Sequence, residues 1–346
     1  MDTPMSPPPS ELATPAGQKG GAQPIMAIPA NGSILDGPSF INPDPSLISE
    51  ALPPDAATLL STVPAPAATS SQTQVSTPSW LLWQFLDSAL PTGGFIASNG
   101  LEAFAKLHPN DSKSVQQIEA YIHWSVHACG YTNLPFVTEV WNLVDQWTIR
   151  DAFELKTEKG KSKAMRSVLK RIANVDREYD VFMNNAIQNA ASRKQGDGMI
   201  MMGVKCFADQ YKTGSAQDEE EDEDGVALGA NIRILKPFKA MLRSEELAGH
   251  YPIAFSMMAR LLGFDLATTR YLHLHLHART LLSSAIRLAL LGPFQAQHIM
   301  TRAQSKARFI DAKTADLKIE DAAQTFLVGD ICSGIHGRLW TRLFNS

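Results

Sequence analysis

An all-α fold, a single bundle of about eight to ten helices, is what this amino-acid sequence predicts. Three observations lead there. From Trp80 onward apolar residues recur at steps of three and four, and the strict alternation of a half-buried strand is nearly absent. Residues that cap or break helices fall at the ends of those runs. The prolines are segregated: 15 of the 21 lie between Pro4 and Pro78, leaving six for the rest of the 346-residue chain. Residues 1–79 also hold one basic residue (Lys19), six acidic ones and one aromatic (Phe40). Such a segment buries too little apolar surface to offset its ordering entropy, so 1–79 reads as a disordered tail and 80–346 as the folded domain.

Taken in order, Ser79 stands at an N-cap position, and WLLWQFLDSAL after it is apolar almost all round, which predicts a buried helix. PTGG stops it, because Pro91 disfavours a helical Leu90 and Gly93 and Gly94 admit backbone angles closed to other residues. A helix over roughly Ser98 to Leu107 follows. Asp111 or Ser114 caps a helix through IEAYIHWSVHACG, and Asn133 or Pro135 opens another through FVTEVWNLVDQW. Residues 156–163, KTEKGKSK, read as a solvated charged insertion. Helical patterns resume through MRSVLKRIANVDREYDVFMNNAIQNAASRKQ, with Asn174 as a possible break, and again through MIMMGVKCFADQYK. Residues 213–229, carrying the acidic run Asp218 to Asp224, read as a second charged insertion. PFKAMLRSEEL, PIAFSMMARLLG, a long segment from Asp265 to Leu291, and a helix with Pro293 at its N1 position complete the bundle before a partly helical end.

Charge and cysteine content narrow the class. From Trp80 onward there are 30 basic and 29 acidic residues, and setting the seven-residue acidic run aside leaves a surplus of eight positive charges. That surplus suits acidic partners but falls short of a nucleic-acid-binding stripe. Cys129, Cys206 and Cys332 are odd in number and far apart, so neither a disulfide framework nor a thiolate zinc site is expected. No secretory leader and no apolar run of membrane-spanning length is read. The expectation is a soluble cytoplasmic protein without nucleic-acid or membrane partners.

Three constellations invite chemistry. His273, His275 and His277 in YLHLHLHAR would share one side of a strand. In a helix Arg270, His273, His277, Thr280 and Ser284 instead form a polar stripe, expected to face solvent. Gly160-Lys161-Ser162 ends like a phosphate-binding loop, but Leu155 stands where the first glycine belongs, so a basic loop is expected. Lys159, Lys161, Lys163, Arg166, Lys170 and Arg171 make a basic cluster, read as a solvated face. No nucleophile–base order and no paired carboxylates appear, which favours a binding protein over an enzyme.

LLWQFLDSALPTGGFIASNGLEAFA (Leu81 to Ala105) closely resembles the signature of the urease accessory protein F (UreF) family. That signature is a helix, a P-x-G-G-F turn and S-x-G-L-E. His250 to Met300 and the ending RLWTRLFNS resemble two further family segments in the same order. The resemblance implies a non-catalytic urease-maturation adaptor that dimerises, binds a UreD/UreH-like scaffold, recruits or regulates a UreG-like GTPase, and acts on apo-urease. Nickel is then handled by the complex, with no cofactor held tightly by this chain and no metal ligand assigned to it. It also points to partner-binding residues: Pro91, Gly93, Gly94 and Phe95 in the turn, Glu102 after it, and Arg342, Leu343 and Phe344 at the end. Apolar side chains beside a guanidinium suit an interface anchor, and the tail is expected to order against the scaffold. The alternatives are a His-rich helical metal carrier and a helical nucleic-acid-associated protein using Lys159 to Arg171.

Overall fold

The computed structural model describes residues 80–87, 90, 97–153, 157–208 and 232–345. The tail 1–79 with Ser79, the whole of the second charged insertion 213–229 and the turn residues 91–96 lie outside the described residues. Within them the chain forms ten α-helices and no strand, as the periodicity predicts. They are α1 (Trp80–Leu86), α2 (Leu101–Leu107), α3 (Val115–Phe153), α4 (Glu158–Phe182), α5 (Ala186–Met202), α6 (Leu235–Arg243), α7 (Tyr251–Leu261), α8 (Leu266–Arg287), α9 (Pro293–Lys313) and α10 (Leu327–His336).

The main departure from expectation is α3. Two helices were predicted with a break at Asn133 or Pro135, yet one 39-residue helix runs through Pro135. Proline lacks the N–H that would bond the carbonyl of Tyr131, four residues back. Here the Ala323 N–H donates to that carbonyl at 3.3 Å, and the Thr132 hydroxyl donates to the Ala323 carbonyl at 3.2 Å. The orphaned acceptor is thus satisfied from elsewhere in the chain, and the helix continues.

Three further expectations are corrected. The helical pattern read from Met165 to Gln195 breaks after Phe182 rather than at Asn174, and Asn185 caps α5 by accepting the Ile187 N–H at 3.2 Å. The segment read as a loop at 156–163 supplies, from Glu158 on, the first turns of α4, capped by Thr157, whose side chain accepts the Gly160 N–H at 3.2 Å. Gly160, Lys161 and Ser162 are therefore helical, and Asn174 interrupts nothing because Val168, Leu169, Ile172, Val175 and Tyr179 keep the buried face periodic across it. Nor is α1 buried all round: Trp80 and Trp83 are 83 % and 64 % exposed. Only Phe85 is buried there, its ring 5.5 Å from that of Phe255 and 5.6 Å from that of Phe264. The helix surrounded on all sides is α7, in which every residue from Pro252 to Ala259 is buried.

Two apolar clusters make the core. One joins the second half of α3 (Phe136, Val140, Val144, Trp147) to α4, α5 and α7. The other joins its first half (Ile118, Tyr121, Ile122) to α2, α8, α9 and α10. Each large aliphatic side chain fully buried in them contributes about 1.5–3 kcal/mol. Polar pins supplement the packing. The Asp176 carboxylate, fully buried, accepts the N–H groups of Ala248, Gly249 and His250 at 2.7, 2.9 and 2.9 Å, fixing the turn into α7. At the same level α5 passes so close that a Cβ on Gly196 would lie 1.9 Å from the Gly249 carbonyl oxygen.

Candidate functional site

The signature segment Ser98 to Glu102 is built around one left-handed glycine. Gly100 has φ 81°, and a Cβ there would meet Ser333 Oγ at 2.7 Å, Tyr121 Oη at 2.8 Å and the Gly329 carbonyl at 2.9 Å. Only a residue without a side chain fits both the angle and the space. The Tyr121 hydroxyl donates to the Asn99 carbonyl at 2.9 Å and the Ser284 hydroxyl to the Ala97 carbonyl at 3.0 Å. These contacts hold the segment between α3, α8 and α10, and they aim the next functional residue, Glu102, inward.

Glu102 meets the end of the chain. Its Oε1 accepts the N–H of Leu343 at 2.8 Å and its Oε2 the N–H of Phe344 at 3.0 Å. Lys106, one turn on, donates to Glu102 Oε1 at 2.8 Å and to the Thr341 carbonyl. Burial by itself would raise the Glu102 pKa, but the Lys106 ammonium and the two backbone N–H groups together hold it below the ordinary carboxylate value. The Phe344 ring is buried under the Arg287 guanidinium, 4.3 Å away, and the Phe344 carbonyl accepts from His336 Nε2 at 3.1 Å.

Two separately expected elements, Glu102 and the Arg342–Leu343–Phe344 end, are thus one site. The tail orders on its own helical body rather than waiting for another protein. Phe344 is consumed by that docking, whereas Arg342 stays exposed with no polar partner among the described residues. Leu343 is half exposed and Trp340 fully exposed, and Leu327 and Ile331, one turn apart on α10, add apolar surface to the same C-terminal segment. Pro91, Gly93, Gly94 and Phe95 lie outside the described residues.

Beside this site is a cavity of about 940 Å³. Asp87, Leu90 and Asn99, which flank the signature turn, line it together with residues of α3, α5 and α8. The polar stripe of α8, expected to face solvent, faces inward instead: Arg270, His273 and Ser284 are buried. Each has found a partner the sequence pattern does not reveal. Arg270 bonds Asp311 and Thr314 of the α9 end and Thr138 of α3. Asn133 Nδ2 donates to His273 Nε2 at 3.2 Å, its orientation set by the Tyr179 hydroxyl, which donates to Asn133 Oδ1 at 2.9 Å. Ser125 Oγ and His277 Nε2 are 2.9 Å apart. Burial pushes His273 down to about 3 and His277 down to about 4, so both imidazoles are uncharged at neutral pH. No group of three His, Cys, Asp or Glu side chains among the described residues is arranged to hold a metal ion.

Pattern reasoning missed Asp176, Asp180 and Ser192, which surround the buried His250. Asp180 Oδ1 meets His250 Nε2 at 2.9 Å and Ser192 Oγ meets Nδ1 at 3.2 Å while accepting the Tyr251 N–H at 3.1 Å. The four-residue step from Asp176 to Asp180 was the signal available, since it puts both carboxylates on one side of α4. With its hydroxyl already serving the first turn of α7, Ser192 anchors that helix.

The comparisons with known proteins agree with this geometry. The UreF family model matches residues 112–304. Urease accessory protein 6 of Cryptococcus neoformans is 26 % identical over 309 residues, spanning 77 % of this chain and 96 % of its own length. Urease accessory protein F of Arabidopsis thaliana is 26 % identical over 267 residues (77 % and 92 %). A Schizosaccharomyces pombe protein described as an uncharacterized UreF-like urease accessory protein is 25 % identical over 263 residues (75 % and 94 %). With more than half its length matched by the family model and its signature glycine locked against the C-terminal segment, this chain belongs to the UreF family.

Proposed function

We propose that the protein serves urease maturation as a non-catalytic adaptor. It binds a UreD/UreH-like scaffold through its C-terminal segment, recruits a UreG-like GTPase, and works as a homodimer in the cytoplasm on apo-urease. Nickel is the cargo of the assembly, not a resident cofactor of this chain. The observation that carries the reading is the docked tail: it spends Phe344 on its own body and leaves Trp340, Arg342 and Leu343 displayed on a fixed backbone. A large aromatic, a guanidinium and an aliphatic side chain held in place are the composition of an interface anchor, and pre-ordering lowers the entropy lost on binding.

A strain lacking the gene is expected to lose urease activity, and excess nickel restores it at most in part. Normal urease activity in that strain would remove the reading. At the residue level, Arg342→Ala with Leu343→Ala should abolish co-purification of the scaffold protein while leaving thermal stability unchanged, because neither side chain is packed in the core.

A further inference from the structure

The exposed face of α4 carries charge that the adaptor role does not use. Lys159, Lys163, Arg166, Lys170 and Arg177 are all exposed and succeed one another by four, three, four and seven residues. That spacing sets them in one row along about 27 Å of helix, opposite the buried row Val168, Leu169, Ile172, Val175, Tyr179. Asn174 fills the one neutral place and accepts from Arg177 at 3.1 Å, and Arg166 donates to Ser162 at 3.2 Å. Lys159, Lys163 and Lys170 have no polar partner among the described residues. The next step of the row is Val181, 77 % exposed.

We propose that this face docks an acidic helical segment of a partner protein, with carboxylates at the same three- and four-residue steps and an apolar residue at the end that meets Val181. Charge complementarity sets the sign of the partner, and the geometry of the row sets its shape. The row is one side chain wide and straight, which matches the ridge of a second helix. A phosphate backbone would leave Val181 without a contact, and no aromatic side chain in the row offers a base a stacking surface. No apolar side chain is interleaved among the cations, so the face lacks the wedge that an interfacial membrane helix needs.

The test uses the full chain and a fluorescein-labelled helical peptide with glutamates at alternating three- and four-residue steps and a terminal leucine, read by fluorescence anisotropy. The combined variant Lys163→Ala, Arg166→Ala, Lys170→Ala should weaken binding roughly tenfold, and raising NaCl from about 50 to about 200 mM should weaken the wild type further. Val181→Asp should weaken the peptide too, and Arg308→Ala with Lys313→Ala, on α9, should change nothing. Equal binding to the wild type and the triple variant would overturn the proposal. So would tighter binding of a single-stranded oligonucleotide, or of phosphatidylserine vesicles, lost in the same triple variant.

Discussion

Glu102 and Phe344, 242 residues apart, are joined by a hydrogen bond of 3.0 Å from the Phe344 N–H to the Glu102 carboxylate. The bond is buried and charge-assisted, so it is among the stronger kinds available to a tail. Replacing Glu102 with Ala strands two backbone donors and leaves Lys106 with Thr341 but without its carboxylate partner. Hydrogen exchange at the Leu343 and Phe344 amides is expected to rise by roughly tenfold or more, with the helices of the body unchanged. Unaltered protection at those two amides would show that the tail is held by Phe344 alone.

The buried histidines predict a direction for acid stability. His273, at about 3, and His277, at about 4, are held below the ordinary imidazole value by burial, and burial also lowers His250. Between about pH 6.5 and those folded values the unfolded chain binds more protons, so stability must fall as pH falls. For His273 alone the slope approaches about 1.4 kcal/mol per pH unit across that window. The midpoint of urea unfolding should therefore decline from pH 7 to pH 5, and a His273→Gln variant should show a shallower decline.

Asp176 is expected to be one of the costliest polar positions in the fold. Its carboxylate satisfies three backbone donors at once, so Asp176→Ala strands three N–H groups, those of the buried Gly249 and His250 and of the half-buried Ala248. A loss of more than about 3 kcal/mol in urea denaturation is expected, at 1 kcal/mol or more per stranded donor. A loss under half of that would mean that water replaces the carboxylate.

Close approach of backbones gives a packing prediction. Gly196→Ala drives a methyl group into the Gly249 carbonyl, an atom that cannot rotate aside. A loss of at least about 1–3 kcal/mol and a lower melting temperature should follow. Gly263→Ala is the instructive contrast: its φ of 86° costs strain, but nothing lies within 4 Å of a Cβ there.

Much of this fold was legible in the sequence because capping chemistry is local. Asp265, where the long helical segment was expected to begin, caps α8 by accepting the Thr268 N–H at 2.8 Å, and Pro293 stands in the first turn of α9 as its N1 reading expects. What escaped depended on partners remote in sequence. Pro135 reads as a break until Ala323 is seen to serve the Tyr131 carbonyl. His273 and Arg270 read as solvent-facing because polarity does not reveal whether a buried partner such as Asn133 or Asp311 exists. The same holds for the site: Glu102 and the terminal residues were each visible, but that one grips the other was not, since no periodicity links positions so far apart.

The uninterrupted course of α3 through Pro135 also bears on how the protein is made. The carbonyl that Pro135 leaves open is closed by Ala323, and the Thr132 hydroxyl reaches the same residue, 191 positions further along. While the chain is still on the ribosome, the middle of this helix therefore lacks its final bond until Ala323 has emerged. Completion of the central helix is a late, long-range event, so a nascent chain truncated before Ala323 should stay open at that point and present the Tyr131 region to chaperones.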